Sequence, residues 1–444
     1  MADLKDLETL LSQLQVIKEE GTLEGEEADR SENLHRLFMY PAMMVPAIQS
    51  AMIEAMTHIL PAHSRAIDPF MGSGTSILSC MEYGLDAFGQ DINPFAVLLS
   101  KAKVSRYDLD GFQQSFKSIR ERIVQDESKT IDVSFPNLNK WFNEDIQIDL
   151  SKIRRAIQAE SCVDFRRFFW AIMSETIRIG SNDRTSTFKL HVRPSEELKD
   201  RKVDIIKEFI SFCERGIDDL ADYRKKLAEE HLLDGYTYSG KSQIVWGNTQ
   251  KKIESNEKYD LLVSSPPYGD NHTTVTYGQT CYLPLQWIDP KDIECPYNYL
   301  KTTQEIDRQS LGGRKDARRI GQVINSILDK SPSLSAFYRG IPDDEKDKYK
   351  KTIAFIADFD ESLTTIVNSM KPNAFYIWTI GNRFVGGREV PNAEILKDLM
   401  ENRGILLFFD AERKISNKKQ ARRNRSSQTM EKERILVFHQ NTEE

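Results

Sequence analysis

Three short stretches of the chain carry residue types that could do chemistry together. The first is Asp68-Pro69-Phe70-Met71-Gly72-Ser73-Gly74-Thr75, which follows the short strand-like run Arg65-Ala66-Ile67-Asp68. Glycine at positions 72 and 74 lets the backbone turn sharply and approach a ligand with no Cβ in the way. The N–H groups that open the next helix would then face a carboxylate or phosphate. The second is Asp91, which closes another strand-like run beginning at Asp86. An acidic side chain at the end of the second strand can bind a ribose diol through paired hydrogen bonds. The third is Ser265-Pro266-Pro267-Tyr268, directly after the apolar run Leu261-Leu262-Val263-Ser264. An aromatic amino group is a poor nucleophile because its lone pair is delocalised into the ring. A short polar side chain beside a backbone carbonyl, held rigid by prolines, can accept both amino protons and favour a tetrahedral nitrogen.

Strand, glycine loop, helix and strand in that order open an α/β nucleotide-type fold. A helix over residues 76–83 stops at Gly84, and two β-α units precede residue 105. Further strands are expected at residues 243–246, 259–264, 374–380, 405–409 and 434–438. About seven strands interrupted by helices make a doubly wound, mostly parallel sheet the economical reading. Residues 106–240 turn charged and helical, with dense apolar content at 165–179, and read as a helical insertion that could recognise a target. Residues 31–105 then form the cofactor-binding half and residues 241–444 the catalytic half, with a helical segment at about 280–350 as a rival recognition region. Residues 1–30 begin like a helix and continue as an acidic run, so a mobile acidic arm is expected. Apolar residues at helical spacing from 34 to 59 predict a helix there.

Taken jointly, the motifs resemble the amino-group DNA methyltransferases, the N4-cytosine and N6-adenine enzymes. Their cofactor loop typically reads D-P-F-x-G-S-G-T and their second strand ends in D-x-N-P, as Asp91-Ile92-Asn93-Pro94 does here. The resemblance implies S-adenosyl-L-methionine as cofactor, held by Asp68, Phe70, Gly72, Gly74, Thr75, Asp91 and Asn93. It also likens Tyr40 and Pro41 to the segment that closes over the methionine end of the cofactor. Asn248 stands where family members commonly carry an acidic residue for the adenine amino group. Ser265 and the Pro266 carbonyl would receive the amino protons, Pro267 would fix the loop, and Tyr268 would stack on a base extruded from the duplex. Asp270, Asn271 and Tyr277, in the polar loop that follows, would border that base. Serine in the first position of the tetrapeptide is associated with cytosine N4 and Asp or Asn with adenine N6, so cytosine N4 is the expected acceptor. Methylation at cytosine C5 needs a thiolate, usually presented after a proline, and none of the five cysteines stands in a Pro-Cys pair.

Composition sets limits on the partners. The 444 residues include 39% hydrophobic and 29% charged side chains with a net charge of −7, which argues against blanket attraction to nucleic acid. Basic residues are nevertheless clustered. Arg413, Lys414, Lys418, Lys419, Arg422, Arg423 and Arg425 connect the last two expected strands and could contact DNA phosphates, and the polar-basic stretch 181–189 has similar character. No stretch approaches the roughly 20 apolar residues of a membrane span, the N-terminus does not read as a signal peptide, and the cysteines lack metal-ligand spacing. A cytoplasmic, metal-free enzyme is expected. The carboxylates of Pro342-Asp343-Asp344-Glu345-Lys346 lack the strand context of a nuclease, so any restriction endonuclease would be a separate protein. The rivals are an RNA amino methyltransferase, for which no RNA-binding module is visible, and a noncatalytic binding subunit, against which the intact motifs argue.

Overall fold

A computed structural model describes residues 4–24, 34–185, 189–271, 273–313, 317–415 and 431–440. Its centre is a seven-stranded sheet: β1 (Arg65–Asp68), β2 (Asp86–Asp91), β3 (Ser242–Trp246), β4 (Tyr259–Ser264), β5 (Met370–Gly381), β6 (Leu406–Lys414) and β7 (Lys432–His439). The order across the sheet is β6-β7-β5-β4-β1-β2-β3. Strand β7 runs antiparallel to both its neighbours, and the pairs among β5, β4, β1, β2 and β3 are parallel. All seven expected strands are present, and β5 and β6 extend beyond the predicted limits.

Parallel strands covered on both faces read as unbroken apolar runs, which is why Leu261-Leu262-Val263 shows no alternation. Leu261 and Val263 face one core together with Ala66, Phe375 and Ile377. Leu262 faces the other with Ile67, Tyr376 and Trp378. The chain builds outward from β1 through β2 to β3, then returns to lay β4 against the other edge of β1. Strand order therefore reverses between β1 and β4. In open α/β sheets the crevice at the carboxyl ends of such strands is where ligands bind; the glycine loop and Ser265 follow those ends, and Asp91 closes the adjacent β2.

The main helices are α1 (Leu4–Glu19), α2 (Pro46–Thr57), α3 (Thr75–Glu82), α4 (Pro94–Val104), α5 (Leu109–Gln125), α6 (Glu144–Gln158), α7 (Val163–Gly180), α8 (Ile205–Glu229), α9 (Tyr277–Trp287), α10 (Lys350–Ser369) and α11 (Asn392–Glu401). Helices α5 to α8 are the insertion between β2 and β3. They pack on one another, and α6 and α7 also pack on α9 and the segment after it, which follow the tetrapeptide. Arg166 of α7 pairs with Asp292 through Nε–Oδ2 at 2.8 Å and Nη2–Oδ1 at 2.7 Å, and Trp170 Nε1 donates to the same carboxylate at 2.8 Å. Arg154 Nε of α6 donates to the Trp287 carbonyl at 3.0 Å. The insertion and the start of the rival segment thus pack together, and Trp170 is core. Among the described residues no helix is long and apolar enough to cross a membrane.

Two expectations at the N-terminus change. The helix expected over 34–59 exists only as α2, with a 3-10 turn at His35–Leu37 before it. Proline lacks an N–H and disfavours helix in the residue before it. Pro41 breaks the pattern, Ala42 adopts φ 54°, and Pro46 opens α2 at a position that suits it. The extended stretch between turn and helix carries Tyr40 over the glycine loop. The acidic arm, in turn, starts with a packed element. Leu10 and Leu14 of α1 are fully buried in the main core, and Lys18 reaches the Asp410 carbonyl of β6; residues 1–3 and 25–30 of the expected arm lie outside the described residues. Leu14→Ala should therefore cost about 2–5 kcal/mol of stability, read by denaturant unfolding, with cofactor affinity unchanged.

Candidate active site

A cavity of about 470 Å³ opens at the carboxyl ends of β1, β2 and β4. Its walls include Tyr40, Phe70, Gly72, Asp91, Asn93, Asn248, Ser265, Pro266, Pro267, Tyr268, Asn271 and Tyr277. Residues far apart in sequence thus share one space.

Asp91 is positioned by backbone donors on both sides. The Gly72 amide donates to one carboxylate oxygen at 2.9 Å and the Asn93 amide to the other at 2.8 Å. These bonds fix the carboxylate beside the cavity and leave acceptor capacity on each oxygen for a diol. Burial pushes the Asp91 carboxyl up to about 6, partly offset by those same amides. Gly72 sits at φ +52°, and a Cβ there would lie 3.5 Å from Tyr40 Cε1, against the wall of the cavity. Asn93 caps α4 through the Phe95 amide at 3.0 Å and ties Tyr40 Oη with its Nδ2, also at 3.0 Å. The Tyr40 and Tyr277 rings stack with centroids 5.5 Å apart. Motif-borne residues and Tyr277, which was expected in a loop and instead opens α9, thereby form one wall. A carboxylate aimed by two amides, a glycine without a Cβ, and the aromatic and apolar surfaces of Phe70, Ile92 and Tyr40 match the diol, close backbone approach and apolar faces of a nucleoside.

Several of the residues expected at the ligand are engaged with other parts of the protein in this structure. Asp68 is fully buried and does not line the cavity. It accepts from the Phe70 amide at 3.0 Å, from Ser264 Oγ at 2.6 Å and from the Ser76 hydroxyl, which locks the ends of β1 and β4 to the start of α3. Burial raises its carboxyl to about 6. Gly74 and Thr75 lie behind the loop. A Cβ at Gly74 would come within 2.8 Å of Ser100 Oγ, so that glycine serves helix packing. Pro41 is buried beside Tyr40 without lining the cavity. Asp270, buried, organises its own loop by accepting from Thr273 Oγ1 at 2.5 Å and from Arg383 Nη1 at 3.4 Å. Asn248 lines the cavity, but its Oδ1 accepts from the Gln250 amide of its own turn at 3.0 Å.

On the catalytic side, Ser265 Oγ lies 3.1 Å from Tyr268 Oη, and Tyr268 Oη donates to Glu433 Oε1 at 3.0 Å. Asn392 Nδ2 donates to both the Tyr268 and the Gly381 carbonyls at 2.9 Å, which fixes the tetrapeptide to the end of β5. Gln49, Thr379, Arg383 and Glu433, to which the sequence motifs did not point, also line the cavity, as does Arg413. Arg413, expected to face phosphates, is instead buried at the end of β6 in an ion pair with Glu433 of β7, because strand register sets these two residues opposite each other. Lys418, Arg422 and Arg423 lie outside the described residues. Among the described residues no cluster of three or more His, Cys, Asp or Glu could hold a metal ion.

Strand order with an antiparallel β7, and a glycine loop and carboxylate at the reversal point, define the class: an α/β protein on a Rossmann-like methyltransferase sheet. No protein-family model matches the chain. It is 31% identical over 427 residues to the type II methyltransferase M.MvaI of Kocuria varians, spanning 91% of this chain and 90% of that protein. A stretch of 87 residues, 19% of this chain and 15% of the other, is 33% identical to the type II methyltransferase M.MjaII of Methanocaldococcus jannaschii. The chain belongs to the type II methyltransferase family.

The Asp91 geometry sets a pH dependence. Above about 6 the carboxyl is charged and free to accept from a ligand hydroxyl; below that value it takes a proton and loses acceptor capacity. Affinity for S-adenosyl-L-methionine should fall by up to roughly tenfold per pH unit below that value, measured by calorimetry, and the pH slope should be lost in Asp91→Asn. Asp68 and Asp91 are both raised, so the stability they contribute is present at acid pH and lost as pH rises through about 6.

Proposed function

We propose that the protein is an S-adenosyl-L-methionine-dependent, site-specific DNA methyltransferase that methylates the N4 amino group of cytosine. The observation that carries this reading is that Ser265-Pro266-Pro267-Tyr268 and Asp91 line the same cavity. When bound, the cofactor supplies an electrophilic methyl group on a sulfonium. Asp91 holds the ribose diol, Gly72 permits close approach of the loop, and Tyr40 covers the methionine end. The target base leaves the duplex stack to enter the cavity. Ser265 Oγ and the Pro266 carbonyl accept the two amino protons, which turns the nitrogen lone pair out of the ring system. Pro267 keeps that carbonyl in place, and the Tyr268 ring supports the face of the base, with Asn271 and Tyr277 at its border. Much of the acceleration comes from holding the two reactants in line.

The packed unit of α5 to α9 is the region we assign to target recognition. Lys418, Arg422 and Arg423 are assigned to DNA phosphates. A separate restriction endonuclease of the same specificity, in the same cytoplasm, is the partner such an activity calls for. The test is to incubate purified protein with methyl-labelled cofactor and amplified, unmodified genomic DNA, digest the DNA to nucleosides and separate them. Label in N4-methylcytosine is expected. Label in N6-methyladenine would reassign the acceptor, and no label in DNA would reject the reading.

A further inference from the structure

Arg413, Glu433, Tyr268 and Ser265 form a chain of polar contacts along one wall of the cavity. Glu433 is salt-bridged to Arg413, accepts the Tyr268 hydroxyl at 3.0 Å, and Tyr268 Oη in turn lies 3.1 Å from Ser265 Oγ. The side chains of Glu433 and Arg413 are only 13% and 6% exposed, so water competes little for these contacts. A phenol has one proton to give and a carboxylate can only accept. Burial and the neighbouring Glu433 carboxylate hold the Tyr268 hydroxyl well above its ordinary pKa, so it keeps that proton. With the Tyr268 proton committed to Glu433, the proton between Tyr268 and Ser265 belongs to Ser265. The Ser265 hydroxyl then spends its proton inside the wall, and its remaining lone pair capacity is what an incoming group meets.

We propose that Glu433, held by Arg413, is a positioning residue that acts through Tyr268 to fix the Ser265 hydroxyl as a hydrogen-bond acceptor. A freely rotating hydroxyl would also donate, and a proton offered to the amino nitrogen would occupy the lone pair that must attack the methyl group. The chain removes that option before the substrate arrives. The direction of the chain depends on a pure acceptor at its far end. A glutamine at 433 can donate to Tyr268 Oη, after which Tyr268 can donate to Ser265 and reverse the chain. The Tyr268 main chain is held separately by Asn392, so Tyr268→Phe removes the hydroxyl and keeps the ring in place. The inference rests on the amino-methylation reading of the site.

The test measures methyl transfer to amplified, unmodified genomic DNA by the parent protein, Glu433→Gln, Tyr268→Phe and the double variant, with cofactor affinity by calorimetry for each. Each single variant should lose about tenfold in kcat, the worth of one directed hydrogen bond, with the KM for DNA and the cofactor Kd within about twofold. The double variant should be no slower than Tyr268→Phe alone, because both changes break one chain. Parent-like kcat in Glu433→Gln, or losses that multiply in the double variant, would overturn the proposal. If Glu433→Gln fails to bind cofactor, Tyr268→Phe decides alone: a tenfold lower kcat supports the chain and an unchanged kcat refutes it. A parent protein that methylates no DNA would instead reject the reading of the site, so the two failures are distinguishable.

Discussion

Ser265→Ala should lower kcat by on the order of 10²-fold or more while leaving cofactor affinity within about twofold of the parent. Ser265 follows β4 directly and lines the cavity, and it takes no part in the hydrogen bonds that hold Asp91, which come from the Gly72 and Asn93 amides. Removing its hydroxyl takes one of the two acceptors from the amino group and leaves the other, the Pro266 carbonyl. The lost interaction is strongest when the nitrogen becomes tetrahedral, so the loss should fall on kcat and not on binding. Single-turnover transfer of labelled methyl groups, with calorimetry of cofactor binding, separates the two. The loss should exceed that of Glu433→Gln, which misdirects the hydroxyl without deleting it.

Asp91→Ala should produce the complementary pattern, with cofactor affinity weakened by roughly 10²-fold, the worth of one or two hydrogen bonds to a charged group. The substitution removes the diol acceptor and also releases the Gly72 and Asn93 amides that it now satisfies. The glycine loop and the Asn93 cap of α4 lose a shared anchor, so the weakened binding should come with a faster cofactor off-rate. Asp91→Asn keeps one acceptor oxygen and should fall between the two. Calorimetry at pH 8, above the titration of Asp91, is the measurement, and parent-like affinity in Asp91→Ala would remove that residue from the cofactor site.

Much of the site could be read in the sequence because its residues sit at places where local geometry dictates type. A glycine loop after β1, a carboxylate ending β2 and a proline-stiffened turn after β4 are each short-range signals, and each of the seven strands has an apolar stretch, as short as Ala66-Ile67 in β1. Asp68 shows where such reading stops. It belongs to the motif, yet its carboxylate is spent on Ser264, Ser76 and the Phe70 amide, a fact that depends on β4 lying beside β1. The pairing of Arg413 with Glu433 went unrecognised for a similar reason. Arg413 sits in a basic run that suggested phosphate contact, and only the antiparallel register of β6 and β7 places it against Glu433. The tie between the insertion and the segment after the tetrapeptide, through Arg166 and Asp292, is likewise a long-range contact that no local pattern carries. The helix expected over 34–59 failed where Pro41 overrides the apolar spacing, and that signal was present in the sequence.

The central claim, amino methylation of DNA directed by Ser265, is tested most directly by base-modification sequencing of genomic DNA from cells expressing the parent protein and from cells expressing Ser265→Ala. The account predicts N4-methylcytosine at one recurring sequence motif with the parent and its absence with the variant. Genomic DNA without any modified motif in cells making folded parent protein, or the same modification with Ser265→Ala, would contradict it.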